Sequence, residues 1–459
     1  MAPKLQKLDP ISEMLALATH QNKKNIIVAA LELEGPLDAE AMKQAAQETL
    51  ESFPQFMSCL KEIRKGRKFY LYREVRADLP FQVTVFDLKT GETQGVLEPL
   101  LDHLRPSLDR DWDLFQEHGG RVHIARISED KHVLVTVVHH SAGDAATTTE
   151  FAKAILVRYE NIIGKPRDRS KETEALSTMR KRRARVKKRK IRDAVADFIL
   201  GVTPLFIRPT LPVGSGDPRD ERQFHIKRLC SKEDTERIMA QQSKRGAPLT
   251  DILVCSADLA IDQWNEARNI PPGSLATTMT VNMRGRFEGF DNPNNSGMIF
   301  FRSQPEERKD PVKFARSVAL TRISYFRKHQ DLRFFINVSN MNDNFRIMPF
   351  HMRRRVVHFF MQRHQFSITT TLLGVILPEF KKGRPTGRSI PPEFGDVTLT
   401  EIHGMGYKLL SRTHLVLMVY LYQDRLNLVL DATACHFTRQ EAEEFMDLIL
   451  ANIQGDPHA

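Results

Sequence analysis

Two adjacent histidines, His139 and His140, stand ahead of an acid, Asp144, in the segment HVLVTVVHHSAGDAATTTEFAKAI. Imidazole has an unperturbed pKa of about 6.5, so a histidine at a strand end can accept a proton near neutral pH and act as a general base. Asp144 can fold back across the turn, either to orient the loop or to pair with an arginine brought from elsewhere. The bland alternative has real weight. The chain has 16 histidines in 459 residues, and either member of the pair could be an ordinary core histidine.

The elements that must position these groups are readable around them. His132–His140 is rich in valine and reads as a strand, forming a hairpin with Arg121–Ile127 around Ser128-Glu129-Asp130-Lys131. A helix follows from about Asp144 to Ile162. Earlier, Ile26–Leu33 reads as a strand and Asp38 as the N-cap of a helix over Ala39–Ser52. Phe69–Arg73 and Phe81–Asp87 read as further strands.

The second half repeats the mixture, with helices over Ser231–Lys244, Thr250–Asn265 and Pro311–Lys328, and one from Phe350 to about Gln365. Strands are expected at Leu275–Met283, Gly297–Ser303, Val397–Ile402, His414–Tyr422 and Arg425–Leu430, before a last helix near Thr438. A chain of this length exceeds one ordinary core, and the α/β alternation in both halves points to two layered lobes.

The motif resembles the HHxxxDG signature of the CoA-dependent acyltransferase superfamily. That superfamily includes nonribosomal peptide condensation domains, chloramphenicol acetyltransferase, plant alcohol acyltransferases, wax-ester synthases and carnitine acyltransferases. Thr280-Val281-Asn282-Met283-Arg284 is similar to the family's strand ending in arginine, and Asn294-Asn295-Ser296-Gly297 to the Asn-x-Gly turn after it. The segment LVLMVYLYQDRLNLVLDATACHFTRQEAEEFMDLI resembles its closing hairpin and helix.

The resemblance implies an α/β fold of two chloramphenicol-acetyltransferase-like lobes, a pseudo-dimer with a central tunnel. An N-terminal lobe of 1–165 would carry the motif, 166–220 would be a basic linker, and 221–459 the C-terminal lobe. It further implies that His140 is the general base, with His139 beside it, and that Asp144 is structural and paired with Arg284. Thr370 would offer a hydroxyl to the oxyanion, with Thr369 and Thr371 close behind, although β-propensity explains any single one of these threonines as well. Gly143, Asn295, Gly297, Thr369 and Thr371 would line the tunnel. The sequence departs from the signature at one place: Ala145 stands where the family has glycine, a small change if that residue opens a helix and a poor fit if a positive φ is required.

The activity so implied is direct transfer of an acyl group from a thioester to a hydroxyl, with neither a metal nor a permanently bound cofactor. The co-substrate is acyl-CoA or the phosphopantetheine thioester of an acyl carrier protein, and the acceptor an alcohol or, second, an amine. The alternatives are an amide-forming condensation protein and a non-catalytic, membrane-associated binding protein of the same fold.

Composition limits the setting. The four cysteines, Cys59, Cys230, Cys255 and Cys435, are scattered, which argues against a disulfide framework and for a reducing, cytoplasmic environment. No apolar run approaches the roughly 20 residues of a membrane span. Of 68 basic residues, ten fall in Arg180–Arg192, and the remaining 58 nearly balance 57 acids. That run leads into Ile191, Val195, Phe198, Ile199 and Val202 at helical spacing, the pattern of a segment that lies on anionic lipid. It would equally serve an acidic carrier protein, and a plain solvated insertion accounts for such a block of like charges just as well. Nucleic acid is disfavoured, because few aromatic residues interleave the charges. A second basic cluster, His351-Met352-Arg353-Arg354-Arg355 continuing to Arg363, is a further candidate to face an anion, although such residues are more often the wet face of a helix, here one whose Val356, Phe359 and Phe360 are core.

Overall fold

The strand that carries the histidines is buried on both of its faces. Lys131–His139 alternates its valines between two apolar layers: Leu134 and Val138 pack with Phe151, Ile155 and Leu156, while Val133, Val135 and Val137 pack with Leu100, Leu104 and Leu108. A strand covered in this way reads as a nearly continuous hydrophobic run, as this one does. The computed structural model describes residues 5–19, 24–89, 95–167, 208–284, 294–361, 365–381, 384–408 and 414–455. The basic run Arg180–Arg192 and the apolar stripe from Ile191 to Val202 lie outside the described residues.

Lys131–His139 sits inside a six-stranded sheet in the order Glu393–Phe394, Val397–Tyr407, Ile26–Glu34, Lys131–His139, Gly120–Arg126, Val83–Asp87. Its neighbours run antiparallel, with Ile26 opposite His139 and Val138 opposite Gly120. Helices Ala39–Thr49 and Ala145–Ile162 cover one face. Leu97–Asp109 covers the other through Leu100, Leu101, Leu104 and Leu108, despite Pro106 within it.

A second six-stranded sheet has the order Ser296–Ser303, Leu275–Asn282, Ile368–Val375, Leu415–Tyr422, Arg425–Thr433, Gln223–Leu229. Ile368–Val375 runs parallel to both of its neighbours, and the remaining pairs are antiparallel. The buried helix Leu249–Glu266 packs against this sheet between two apolar clusters, one with Leu417 and Phe445, the other with Met279 and Phe314.

The first sheet takes strands from distant parts of the chain, since Val397–Tyr407 pairs along its length with Ile26–Glu34. The same strand ties the two sheets together. The Tyr420 and Tyr422 hydroxyls donate to the carbonyls of Ile402 and Leu399, and the Gly406 amide donates to Asp431. Lys227 donates to Glu401 and to the carbonyl of Ile402. Glu32, Glu401 and His403 cluster at this seam, and Lys227 supplies the cation they face.

A short helix near the N-terminus, Pro10–Ala18, bridges to the second half of the chain. Asp9 caps it, accepting from the Ser12 amide, and proline occupies its first position. Glu13, fully buried, receives Arg346 and Arg353 from two later helices, Gln330–Phe345 with its C-cap and Phe350–Met361. This corrects the reading of Arg353 as solvated: it is 0% exposed, and Val357 is the buried apolar neighbour, while Phe359 is 52% exposed. His351 and Arg355 are exposed as expected, but Arg353 is drawn inward because a buried carboxylate, Glu13, must be paired, and Arg353 pairs it.

Candidate active site

The chain turns sharply after Lys131–His139. The His140 amide donates to the Asn25 carbonyl at 2.7 Å, and the Ala142 amide to the His139 carbonyl at 2.7 Å. Gly143 is closely packed: a Cβ there would lie 3.2 Å from Phe56 and 3.3 Å from Thr147, so either side chain would have to give by a few tenths of an ångström. Asp144 then caps the helix Ala145–Ile162, accepting from the Thr147 amide at 3.0 Å. Ala145 is the first helical residue and is absent from the positive-φ positions, so the alanine costs no backbone strain.

The two histidines have different surroundings. His139 is fully buried, with its ring edge against Trp112. Its Nδ1 accepts from the Ser141 amide at 3.1 Å, so the ring proton sits on Nε2 and is donated to Thr19 Oγ1 at 3.0 Å, and Thr19 in turn donates to the Leu15 carbonyl. Burial, with His140 and Arg121 nearby, pushes its pKa down to about 3. This is a neutral, fully bonded histidine that holds the turn.

His140 is half-buried. Its Nδ1 is buried without a hydrogen bond. Burial pushes its pKa below the usual imidazole value; its own backbone, Asp144, Asn294 and the Gly143 backbone pull the other way without prevailing. The ring is therefore neutral at physiological pH, the state a base requires.

Asp144 is buried and surrounded by donors. Arg284 grips it as a fork, Nη1 to Oδ2 at 2.8 Å and Nη2 to Oδ1 at 2.6 Å, and also donates to Thr147 Oγ1. The Asn295 amide and the Ser296 hydroxyl reach Oδ2 at 3.1 and 3.3 Å. Burial raises the carboxyl's pKa, but the Arg284 charge and these hydrogen bonds outweigh it and hold it below the ordinary value. Gly297 continues the same segment in close contact, where a Cβ would meet Met283 Sδ at 3.1 Å.

The threonines lie apart from this hydrogen-bonded group. Thr369 bonds to Thr278 Oγ1 at 2.8 Å, Thr371 accepts from Thr280 at 2.9 Å, and Thr370 donates to the Thr278 carbonyl at 3.2 Å. They form a hydroxyl ladder with Leu275–Asn282, the strand that leads to Arg284.

Sequence reasoning missed several members of the site. Ser12, Thr19, Asn25 and Arg73 come from segments without a motif, and Asn294 was visible only as part of a turn. Arg73 donates to the Ser141 carbonyl at 2.5 Å, and Asn294 to the His140 carbonyl at 2.7 Å. Arg73 merely ends the segment Phe69–Arg73 that reads as a strand, and its burial is visible only in the structure.

Comparison with known proteins places the fold. No protein-family model matches the chain. Over 137 residues, 30% of the chain, it is 28% identical to the cyclosporin synthetase of Tolypocladium inflatum, and this match spans about 1% of that protein's length. Among solved structures it is similar to the first condensation domain of the calcium-dependent antibiotic synthetase, with a TM-score of 0.69, 13% identity, and coverage of 99% of this chain and 97% of that one. It is also similar to a trichothecene 15-O-acetyltransferase from Fusarium sporotrichioides, with a TM-score of 0.67, 9% identity and coverage of 98% and 95%. The starter condensation domain of rhizomide synthetase gives 0.60, 12%, and 98% and 96%. These likenesses are of fold: the chain has the two-lobed, chloramphenicol-acetyltransferase-like architecture of condensation domains.

Proposed function

We propose that the chain is an acyltransferase that moves an acyl group from a thioester to a hydroxyl acceptor, with His140 as the general base. The observation that supports it most directly is the contrast between the two histidines: His139 is fully buried with both nitrogens bonded, whereas His140 is half-buried and neutral. With its proton on Nδ1, His140 would present the Nε2 lone pair to the acceptor. The base removes the acceptor's proton as its oxygen attacks the thioester carbonyl. The tetrahedral oxyanion collapses with loss of the thiolate, which takes up the proton from the imidazolium. Asp144, committed to Arg284 and to the helix cap, positions the loop and moves no proton.

The fold neighbours fit this chemistry, since one is an acetyltransferase and others are condensation domains. The donor is acyl-CoA or a carrier-bound phosphopantetheine thioester. Among the described residues no helix is long and apolar enough to cross a membrane. Contact of Arg180–Arg192 with anionic lipid or with an acidic carrier protein belongs to the same proposal. Amide formation is the second reading, favoured by the condensation-domain neighbours and by the cyclosporin synthetase match.

The test is free-thiol release from short- to long-chain acyl-CoAs with separate pools of alcohols and amines, comparing the wild type with His140→Ala. Release that needs an alcohol and vanishes in the variant supports the reading. Release that needs an amine moves it to condensation. Silence from both proteins, with carrier-bound donors also tried, overturns it in favour of a binding role.

A further inference from the structure

The carbonyls of His140 and Ser141 are consecutive, and each is held by a different buried side chain from a different part of the chain. Asn294 Nδ2 donates to the His140 carbonyl at 2.7 Å and Arg73 Nη2 to the Ser141 carbonyl at 2.5 Å. The same two nitrogens meet at one atom, the hydroxyl oxygen of Ser12, at 2.8 Å from Asn294 and 2.9 Å from Arg73. Ser12 and Asn294 are 0% exposed and Arg73 is 3% exposed. A hydroxyl has two acceptor lone pairs, and these two donors account for both.

We propose that Ser12 is a positioning residue for the His140 base, its hydroxyl setting the two donors that fix the peptide planes on either side of Ser141. The proposal rests on the reading of His140 as the base. The plane before His140 is already fixed by the Asn25 carbonyl, so with Asn294 and Arg73 three consecutive planes are held and the His140 Cα–Cβ vector has no freedom left. Arg73 and Asn294 have long or rotatable side chains that could otherwise turn away. A common acceptor between them removes that freedom.

Ser12 is itself held firmly. It lies in the first turn of Pro10–Ala18, whose Glu13 is paired to Arg346 and Arg353 and whose Pro10 carbonyl accepts from Asn342. Asn294 immediately precedes Asn295, the residue whose amide binds Asp144. One short segment of the second half of the chain therefore grips both ends of the loop from His140 to Asp144, and Ser12 is the point where that grip meets the N-terminal helix.

The test uses full-length protein with 13C-labelled histidine, the His140 resonance being assigned by its loss in His140→Ala. Ser12→Ala and Ser12→Cys remove the acceptor or replace it with sulfur, a weak acceptor of similar volume; Ser12→Thr keeps the hydroxyl. The expected result is a changed chemical shift and an upward-moved titration midpoint for His140 in the first two, with the wild-type signal restored in Ser12→Thr. In thiol release, kcat falls about tenfold or more with little change in KM, as for a base misplaced by a fraction of an ångström. Adding Asn294→Ala to Ser12→Ala lowers kcat no further than Asn294→Ala alone. If His140 in the folded Ser12→Ala or Ser12→Cys protein titrates as in the wild type, the inference is overturned, even where the melting temperature has dropped. The resonance reads out without turnover, so a failure of the acyltransferase assay is not confused with a failure of this inference.

Discussion

Arg284 and Asp144 meet across 140 residues of sequence in a two-pronged ion pair, 2.6 and 2.8 Å, that joins the end of one sheet's strand to the N-terminus of the other lobe's helix. The carboxylate is buried and the guanidinium is about a quarter exposed. Bidentate geometry of this kind adds direction to attraction. Its effect is to pin the loop that carries His140 at its far end.

Asp144→Asn is expected to lower both stability and rate. Removing one partner of a buried pair typically costs about 3–5 kcal/mol, and the part-exposed Arg284 places this site at or below the low end. The variant also keeps a weaker cap for the helix. Thermal melting alongside thiol release checks it, and an unchanged melting temperature would count against the structural role.

The same carboxyl gives a pH signature. Its folded pKa lies below the ordinary carboxylate value, so the pair's contribution is complete above the unfolded pKa of about 3.9 and is lost as pH falls toward the lower folded value. Acid unfolding curves of the wild type and Asp144→Asn should therefore converge at the acid end and diverge above about pH 4.

Much of this site was legible in the sequence, and the reason is local. His139, His140, Asp144 and the helix after them are contiguous, so a strand, a turn and a cap can be read from neighbours. Arg284 and Asn295 were found only through resemblance, since nothing in their own surroundings points at Asp144. Ser12 and Arg73 were not found. Pro10–Ala18 is nine residues with a proline at its start, too short to announce itself as a helix, and its importance comes from what it touches in three-dimensional space. The helix Phe350–Met361 was legible as a helix but not in its facing, because the pairing of Arg353 with Glu13 connects residues 340 apart.

Ala145 offers a check on how far the family signature governs this chain. Because it opens the helix without a positive φ, Ala145→Gly restores the signature but gives back no strain. The expected outcome is thiol release within about twofold of wild type and a slight loss of stability, at most about 1 kcal/mol, from the glycine's greater freedom when unfolded. A severalfold gain in rate would show that the alanine obstructs the reaction.

His139 should shape stability and not protonation chemistry. Its folded pKa, about 3, is below the ordinary 6.5, so the unfolded chain binds the proton more readily between those values. The contribution of neutral His139 is thus complete above about pH 6.5 and is lost as pH falls toward 3. His139→Gln, which does not titrate, should flatten the decline in melting temperature over that window while lowering the neutral-pH value, since the bonds to Ser141 and Thr19 are disturbed. An unaltered slope would mean that other groups dominate acid unfolding.

Thr370 decides between two accounts of the oxyanion. Its hydroxyl proton is directed at the Thr278 carbonyl, and its neighbours Thr369 and Thr371 are likewise bonded to Thr278 and Thr280. A preorganised oxyanion donor has its proton aimed at the reacting atom before the charge appears. Thr370 would first have to break its bond to the Thr278 carbonyl. The geometry therefore favours a sheet role, and Thr370→Val is expected to cost about 1 kcal/mol of stability with kcat nearly intact. Loss of an oxyanion donor would instead lower kcat by about 10²–10³-fold with little change in melting temperature, and that result would restore Thr370 to the reaction.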